Sequence, residues 1–275
     1  MLRDLAYFVA RNTPRSAKAF IARSRILQRL THRALASALG NKMSVRSGPM
    51  RGLMLNVSEH TLSSHISGTY EQHVQTAIDK SIKPGDVCYD LGASIGYFTM
   101  LMARKAQWVY AFEPAPHAAE EIRKNLLASQ LQNVTVIGDP VSDAKKEVRF
   151  TLTDVAYGSR INDDETKWPV LKLTSLTLDE FMESNRAPDF IKIDVEGEEG
   201  QVLRGAQRLL AKKRPVLCCE LHSPAVADEV HDILLSHHYT MANLDGTPFR
   251  PASGPWRGEV HVMAYPTEDA VSEGS

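Results

Sequence analysis

The sequence predicts an α/β fold: a largely parallel sheet with helices on both faces. Three observations predict it. Short apolar runs alternate with helical patterns over most of the 275 residues. A loop with glycines four apart, Gly92-Ala93-Ser94-Ile95-Gly96, joins the first core run to a helix. The last two runs, "YTMANL" and "EVHVMAY", have no helix between them and predict a closing antiparallel pair.

In chain order, residues 1–42 form a basic amphipathic extension. Arg25, Arg29 and Arg33 fall in one i, i+4 row, with Phe20, Leu27, Leu30 and Ala34 on another face. Up to residue 58 the chain holds eleven Lys and Arg against Asp4 alone, although the whole chain has net charge −1. Such a helix offers peripheral contact with an anionic membrane surface, or packs on the catalytic domain with its arginines solvated. The apolar core "LAYFVA" is too short for a signal peptide and no run spans a membrane, so the expectation is a cytoplasmic protein, with any membrane contact on the inner surface.

Residues 43–67 read as a β-hairpin around Ser47-Gly48-Pro49 and a linker. The main domain, 68–266, opens with the helix "GTYEQHVQTAIDKSI" and the strand after the Pro84-Gly85 turn, then the helix "YFTMLMARKA". "WVYAFEP" is the second strand, stopped by Pro114; a helix over about 116–129 and the strand "NVTVIG" follow. A polar excursion carries strand signals in "EVRFTLT" and "VLKLTSLTLDEF", an inserted hairpin near the ligand cleft. "DFIKID", a helix over about 199–212, "PVLCCEL" and a helix over about 225–237 complete the core; the tail 267–275 is disordered in composition. Cys88, Cys218 and Cys219 lie in strands without metal spacing, so neither a disulfide nor zinc is expected.

The glycine loop sits between a strand and a helix, the context of a nucleotide site. Ser94 stands where a dinucleotide fingerprint needs its middle glycine, and the loop has no phosphate-loop lysine. Asp90 would repel a phosphate and attract an ammonium. S-adenosylmethionine, which carries an ammonium, a sulfonium and a ribose but no phosphate, suits that loop. Glu113 ends the next strand 23 residues later, near the roughly 20 expected of an acid delivered to ribose hydroxyls.

"FIKIDVEGEEGQVLRG" supplies a second polar cluster. Ligands sit beyond the carboxyl ends of strands in such sheets, which brings Asp194 toward Gly92. Methyl transfer to a hydroxyl needs a positioned nucleophile and a proton acceptor. Asp194, Glu196, Glu220 and His222 are the candidates. Glu198 and Glu199 read as acids capping the next helix. Asp194, Glu220 and His222 could hold a divalent cation, although their spacing fixes no metal geometry, and no metal is expected. Tyr70 and Glu71, just ahead of the first core strand, could close over the amino-acid end of the cofactor.

The segments "GTYEQHV", "PGDVCYDLGASIGYFT", "VYAFEPAP", "LTLDEF" and "FIKIDVEGEEGQVLRGA", in that order, resemble the FkbM family of S-adenosylmethionine-dependent methyltransferases over residues 68–222. The resemblance implies a class I (Rossmann-like) methyltransferase fold, seven-stranded with the last strand antiparallel. It also implies O-methylation of a glycan or small-molecule acceptor. Carried over by position, Asp90, Gly92, Ala93 and Gly96 form the donor loop, Glu113 takes the ribose, and Asp194 and Glu196 lie beside the reacting centre. "VIGDPVSD" departs from the family's small-residue stretch, where adenine contacts near Asp139 to Ser142 are expected.

Two rivals are a nucleic-acid methyltransferase, using the basic N-terminus for phosphates, and a non-catalytic S-adenosylmethionine-binding protein. "IDVEGE" stands where amino-group nucleic-acid methylases of this fold carry Asn/Asp-Pro-Pro-aromatic, and acids crowding the reacting position disfavour a non-catalytic role. The sequence names neither the acceptor nor the oligomeric state.

Overall fold

The computed structural model describes residues 42–58, 60–153, 159–161, 166–251, 256, 258 and 260–267. The basic extension expected over residues 1–42, apart from Lys42, and the tail beyond 267 lie outside the described residues.

The elements follow the alternating pattern. β1 (Lys42–Ser44) and β2 (Met54–Asn56) precede α1 (Ser63–Ser67) and α2 (Gln72–Ser81). Next come β3 (Val87–Leu91), α3 (Tyr97–Ala103), β4 (Trp108–Phe112), α4 (Pro116–Ser129) and β5 (Val134–Ile137). The excursion holds β6 (Glu147–Thr151), β7 (Arg160–Ile161) and β8 (Val170–Thr174), followed by α5 (Leu178–Ser184). β9 (Phe190–Ile193), α6 (Glu199–Arg204), α7 (Gln207–Lys212), β10 (Val216–Leu221), α8 (Pro224–Ser236), β11 (Tyr239–Asn243) and β12 (Val260–Pro266) complete it.

Seven strands form one sheet in the order β11-β12-β10-β9-β3-β4-β5. β3, β4, β5, β9 and β10 run parallel; β12 is antiparallel to both β10 and β11, so the expected closing pair inserts its last strand inside the sheet. Strand residues alternate between two cores. Cys88, Val109, Ala111 and Phe190 pack with α2, α3 and α4, whereas Tyr89, Tyr110, Phe112 and Ile191 pack with α5 to α8. Each fully buried Leu or Phe contributes ~1.5–3 kcal/mol, so the two layers hold the strand ends in fixed register.

The β1–β2 hairpin forms as expected and joins the first core through Met50 and Leu55; Asn56 N–H donates to Asn125 Oδ1 of α4 at 2.7 Å.

Four local expectations are corrected. The segment read as linker contains α1, ended by Gly68 in the left-handed region. "LTLDEF" is helix rather than strand: Thr177 Oγ1 accepts the Glu180 N–H and starts α5, an N-cap that outweighs the β propensity before it. The excursion is a three-stranded sheet, β7-β6-β8. The helix expected over 199–212 is two, α6 and α7. At the break a Cβ on Gly205 would lie 2.2 Å from the Ser142 carbonyl oxygen, so the chain passes backbone against backbone there.

Candidate active site

The glycine loop is tied to the sheet on both sides. Gly92 and Ala93 N–H both donate to Phe112 O at 3.0 Å, and Asp194 N–H donates to Leu91 O at 3.1 Å. Gly92 has φ +77, and a Cβ there would lie 1.7 Å from Asp194 O. Its missing side chain therefore admits the end of β9 rather than a ligand. Gly96, φ +80, caps α3 and leaves room for Ile122.

Asp90 lies within β3 rather than in the loop and is fully buried. Its Oδ2 accepts the Thr99 hydroxyl at 2.5 Å; its Oδ1 is buried without a hydrogen-bond partner among the described residues. Burial raises the Asp90 pKa, while Lys192 and the Thr99 hydrogen bond pull it back. Glu113, at the end of β4, accepts Ser94 N–H through Oε2 and Ala115 N–H through Oε1, both at 2.8 Å. Burial nevertheless pushes its carboxyl up to about 8. One carboxylate thus joins the loop to the α4 entrance.

The remaining acids meet two histidines and a lysine on the same rim. Lys192 is opposite Asp90 in the β3–β9 register, and Glu220 is opposite His261 in the β10–β12 register. Lys192 Nζ donates to Asp194 Oδ2 at 2.8 Å and lies 5.1 Å from the Phe98 ring centroid. Burial would lower the lysine pKa, but Asp194 and Asp90 hold it above its ordinary value. Burial would raise Asp194, and Lys192 keeps it low. His261 Nε2 lies 3.0 Å from Glu220 Oε2 and 3.4 Å from Glu71 Oε2. These two acids overcome burial and raise His261 to about 9. Burial raises Glu220 despite His261.

His222, one residue past β10, points Nε2 at Glu196 Oε2 (3.7 Å), Asp194 Oδ1 (3.8 Å) and Glu220 Oε1 (4.0 Å). Glu196 has φ +58, and Ser94 (+50) and Glu71 (+39) share that left-handed conformation. These three non-glycine residues carry a costly backbone beside the acids of the rim.

The structure therefore brings together Asp90, Gly92, Ala93, Gly96, Glu113, Asp194, Glu196, Glu220, His222 and Glu71. Tyr70 packs its ring into an aromatic cluster, 4.3 Å from that of His65 and 5.6 Å from that of Tyr97, with its side chain hydrogen-bonded to Glu71 at the rim. Lys192 and His261 were missed as site residues; Glu199 opens α6 as expected, but its bond to His222 was not foreseen. Glu199 is fully buried, and its Oε1 accepts N–H from Val195 and Gly197 upstream of α6. Two trios, Asp194–Glu220–His222 and Glu71–Glu220–His261, have ligand atoms within 4.8 Å of one another and could hold a cation. Lys192 Nζ and the rings of His222 and His261 face the same oxygens.

A narrow cavity of about 50 Å³ lies between Gly92, Glu113, Asp139, Val141 and Asp194. It shares Arg160, Ile161 and Glu198 with a broader groove of about 450 Å³ beneath the three-stranded sheet, which also touches Glu196. The excursion thus walls the cleft, as its position in the sequence suggested.

Sheet order, a loop held between strands, and acids at the carboxyl ends of β3, β4 and β9 define a class I (Rossmann-like) methyltransferase fold. The family model of the methyltransferase FkbM domain matches residues 90–241, more than half of the chain, and the protein belongs to that family. The hexuronic acid methyltransferase AglP of Haloferax volcanii is 27% identical over 185 residues, covering 64% of this chain and 74% of that protein. Among solved structures, the methyltransferase FkbM from Methylobacillus flagellatus KT aligns with 18% identity and TM-score 0.44 over 73% of this chain and 46% of that one. A precorrin-6y C5,15-methyltransferase from Geobacter metallireducens GS-15 aligns with 14% identity and TM-score 0.46 over 74% and 93%. Among the described residues no helix is long and apolar enough to cross a membrane.

Proposed function

We propose that this methyltransferase carries the methyl group of S-adenosylmethionine to a hydroxyl of a glycan or small-molecule acceptor. The observation that carries the reading is the buried, unpartnered Asp90 Oδ1 beside a loop that Glu113 holds in place. A buried carboxylate oxygen left without a donor is costly, and the donor's ammonium is the chemistry it lacks. Asp90, Asp194, Glu71 and Tyr70 would hold the amino-acid end, Gly92, Ala93 and Gly96 the middle, and Glu113 the ribose. Glu113 keeps acceptor capacity beyond its two backbone bonds.

The bound donor supplies an electrophilic methyl on a sulfonium. The chain's part is to fix the acceptor oxygen in line with that methyl and to take its proton. Asp194, Glu196, Glu220 and His222 offer that base. Three carboxylates and an imidazole at this rim suit the taking of a hydroxyl proton. The broad groove leaves space for a sugar, and the hexuronic acid methyltransferase among the relatives supports a glycan acceptor.

Calorimetry with S-adenosylmethionine tests the donor site. Wild type is expected to bind, and Asp90→Ala and Glu113→Ala to lose ~10-fold or more, the worth of one charge-assisted hydrogen bond. A folded wild type that does not bind the donor would remove the proposal.

A further inference from the structure

The three-stranded excursion carries a cation that the methyl-transfer reading leaves without a role. Arg160 of β7 lines the narrow cavity beside Gly92 and Glu113 and also the broad groove beside Glu196, so it stands where the two spaces meet. Its neighbour Ile161 packs with Phe150 against Ala115 and Ala118, which anchors the short strand, while Arg160 itself stays exposed.

The other charges that the excursion brings to the groove are already matched. Lys146 Nζ lies 2.7 Å from Asp143 Oδ1, and Glu147 Oε1 lies 2.9 Å from Lys172 Nζ. The Arg160 side chain makes no hydrogen bond or ion pair among the described residues. Glu196 and Glu198, from the turn after β9, line the same groove and give that part of it the opposite sign.

A neutral acceptor filling the groove would take water from the guanidinium and give it no acceptor in return, which is costly. A carboxylate or phosphate ester on the acceptor supplies two oxygens to the planar fork of the arginine. The acids of the turn would repel that same anion, so the two signs fix which way the acceptor lies. Its anion goes to the excursion and an uncharged hydroxyl to the acids.

We propose that Arg160 is an acceptor-binding residue and that the acceptor is an acidic sugar, its carboxylate or phosphate ester paired with the guanidinium while a hydroxyl faces Glu196. This deepens the methyltransferase reading and rests on it.

The test is ligand-observed NMR titration of the full-length protein, saturated with S-adenosylhomocysteine, with glucose, glucuronate and glucose 6-phosphate. An acidic sugar is expected to bind ~10-fold or more tightly than glucose, the worth of one charge-assisted hydrogen bond. Preference for glucuronate alone names a carboxylate as the group; preference for glucose 6-phosphate alone names a phosphate ester. Arg160→Gln should bring the acidic sugar down to the level of glucose. No binding of either acidic sugar, equal binding of all three sugars, or a preference that survives in Arg160→Gln overturns the proposal. The wild-type comparison needs no variant and decides even if Arg160→Gln does not fold. Weaker donor binding by a folded Arg160→Gln would assign the arginine to the donor and overturn the proposal too. Calorimetry of wild type with S-adenosylmethionine separates the two readings: no donor binding sinks the methyltransferase reading, whereas donor binding without a preference for acidic sugars sinks this proposal alone.

Discussion

Replacing Gly92 with alanine tests whether that glycine serves the donor or the sheet. Its φ of +77 imposes the left-handed penalty, ~1–2 kcal/mol for an L residue. The new Cβ would also lie 1.7 Å from Asp194 O, backbone that cannot swing aside, so β3 and β9 must part at their ends. Overpacking of that kind costs ~1–3 kcal/mol, bringing the total to ~2–5 kcal/mol. Gly85 is the control: φ +98 with nothing within 4 Å of its Cβ position, so Gly85→Ala carries the backbone penalty alone. Urea unfolding of both variants, followed by circular dichroism at equal m-value, reads the difference directly. Gly92→Ala should be the less stable by ~1–3 kcal/mol. It should also bind S-adenosylmethionine more weakly, because Asp90 and Asp194 ride on the two strand ends being forced apart. A gap under about 0.5 kcal/mol, the scatter of independent sites, would refute the argument that the close approach of the β9 end to the loop requires this glycine.

Two further perturbations probe the charges behind the loop. Lys192→Met removes the cation shared by Asp194 and Asp90 and is expected to destabilise the fold by ~3–5 kcal/mol; adding Asp194→Asn should restore part of it, and the urea midpoints of single and double variants decide. Stability should also decline as pH rises from about 6.5 to about 9. His222 and His261 have folded pKa values raised to about 9, so their stabilisation is complete below the ordinary histidine value and is lost as pH climbs through the folded one. Glu113, raised to about 8, acts in the same direction. Urea midpoints across this range should fall in wild type and flatten in His261→Gln; an unchanged slope in that variant would remove His261 from the account.

How much of the site was legible depends on which residues are neighbours along the chain and which are neighbours only across the sheet. Asp90, the glycine loop, Glu113 and Asp194 each end or follow a strand, so local pattern was enough to place them at the carboxyl rim. The helices expected from about 116 and about 225 start at Pro116 and Pro224. Lys192 was visible in "FIKID", but its partner Asp90 is set by the parallel register of β3 against β9. His261 is further removed. It reaches Glu220 only because the last strand inserts between β10 and β11, which places the two residues opposite each other. The closing antiparallel pair was predicted, but the order of its strands was not, and that order decides whether His261 faces the cleft or the sheet edge. Glu199 shows the opposite failure: an acid at a helix start has an adequate local explanation, so nothing in the sequence required another. Only its burial and its bond to a ring 23 residues later show that it also reaches His222. Residues whose local role is satisfied hide their tertiary one.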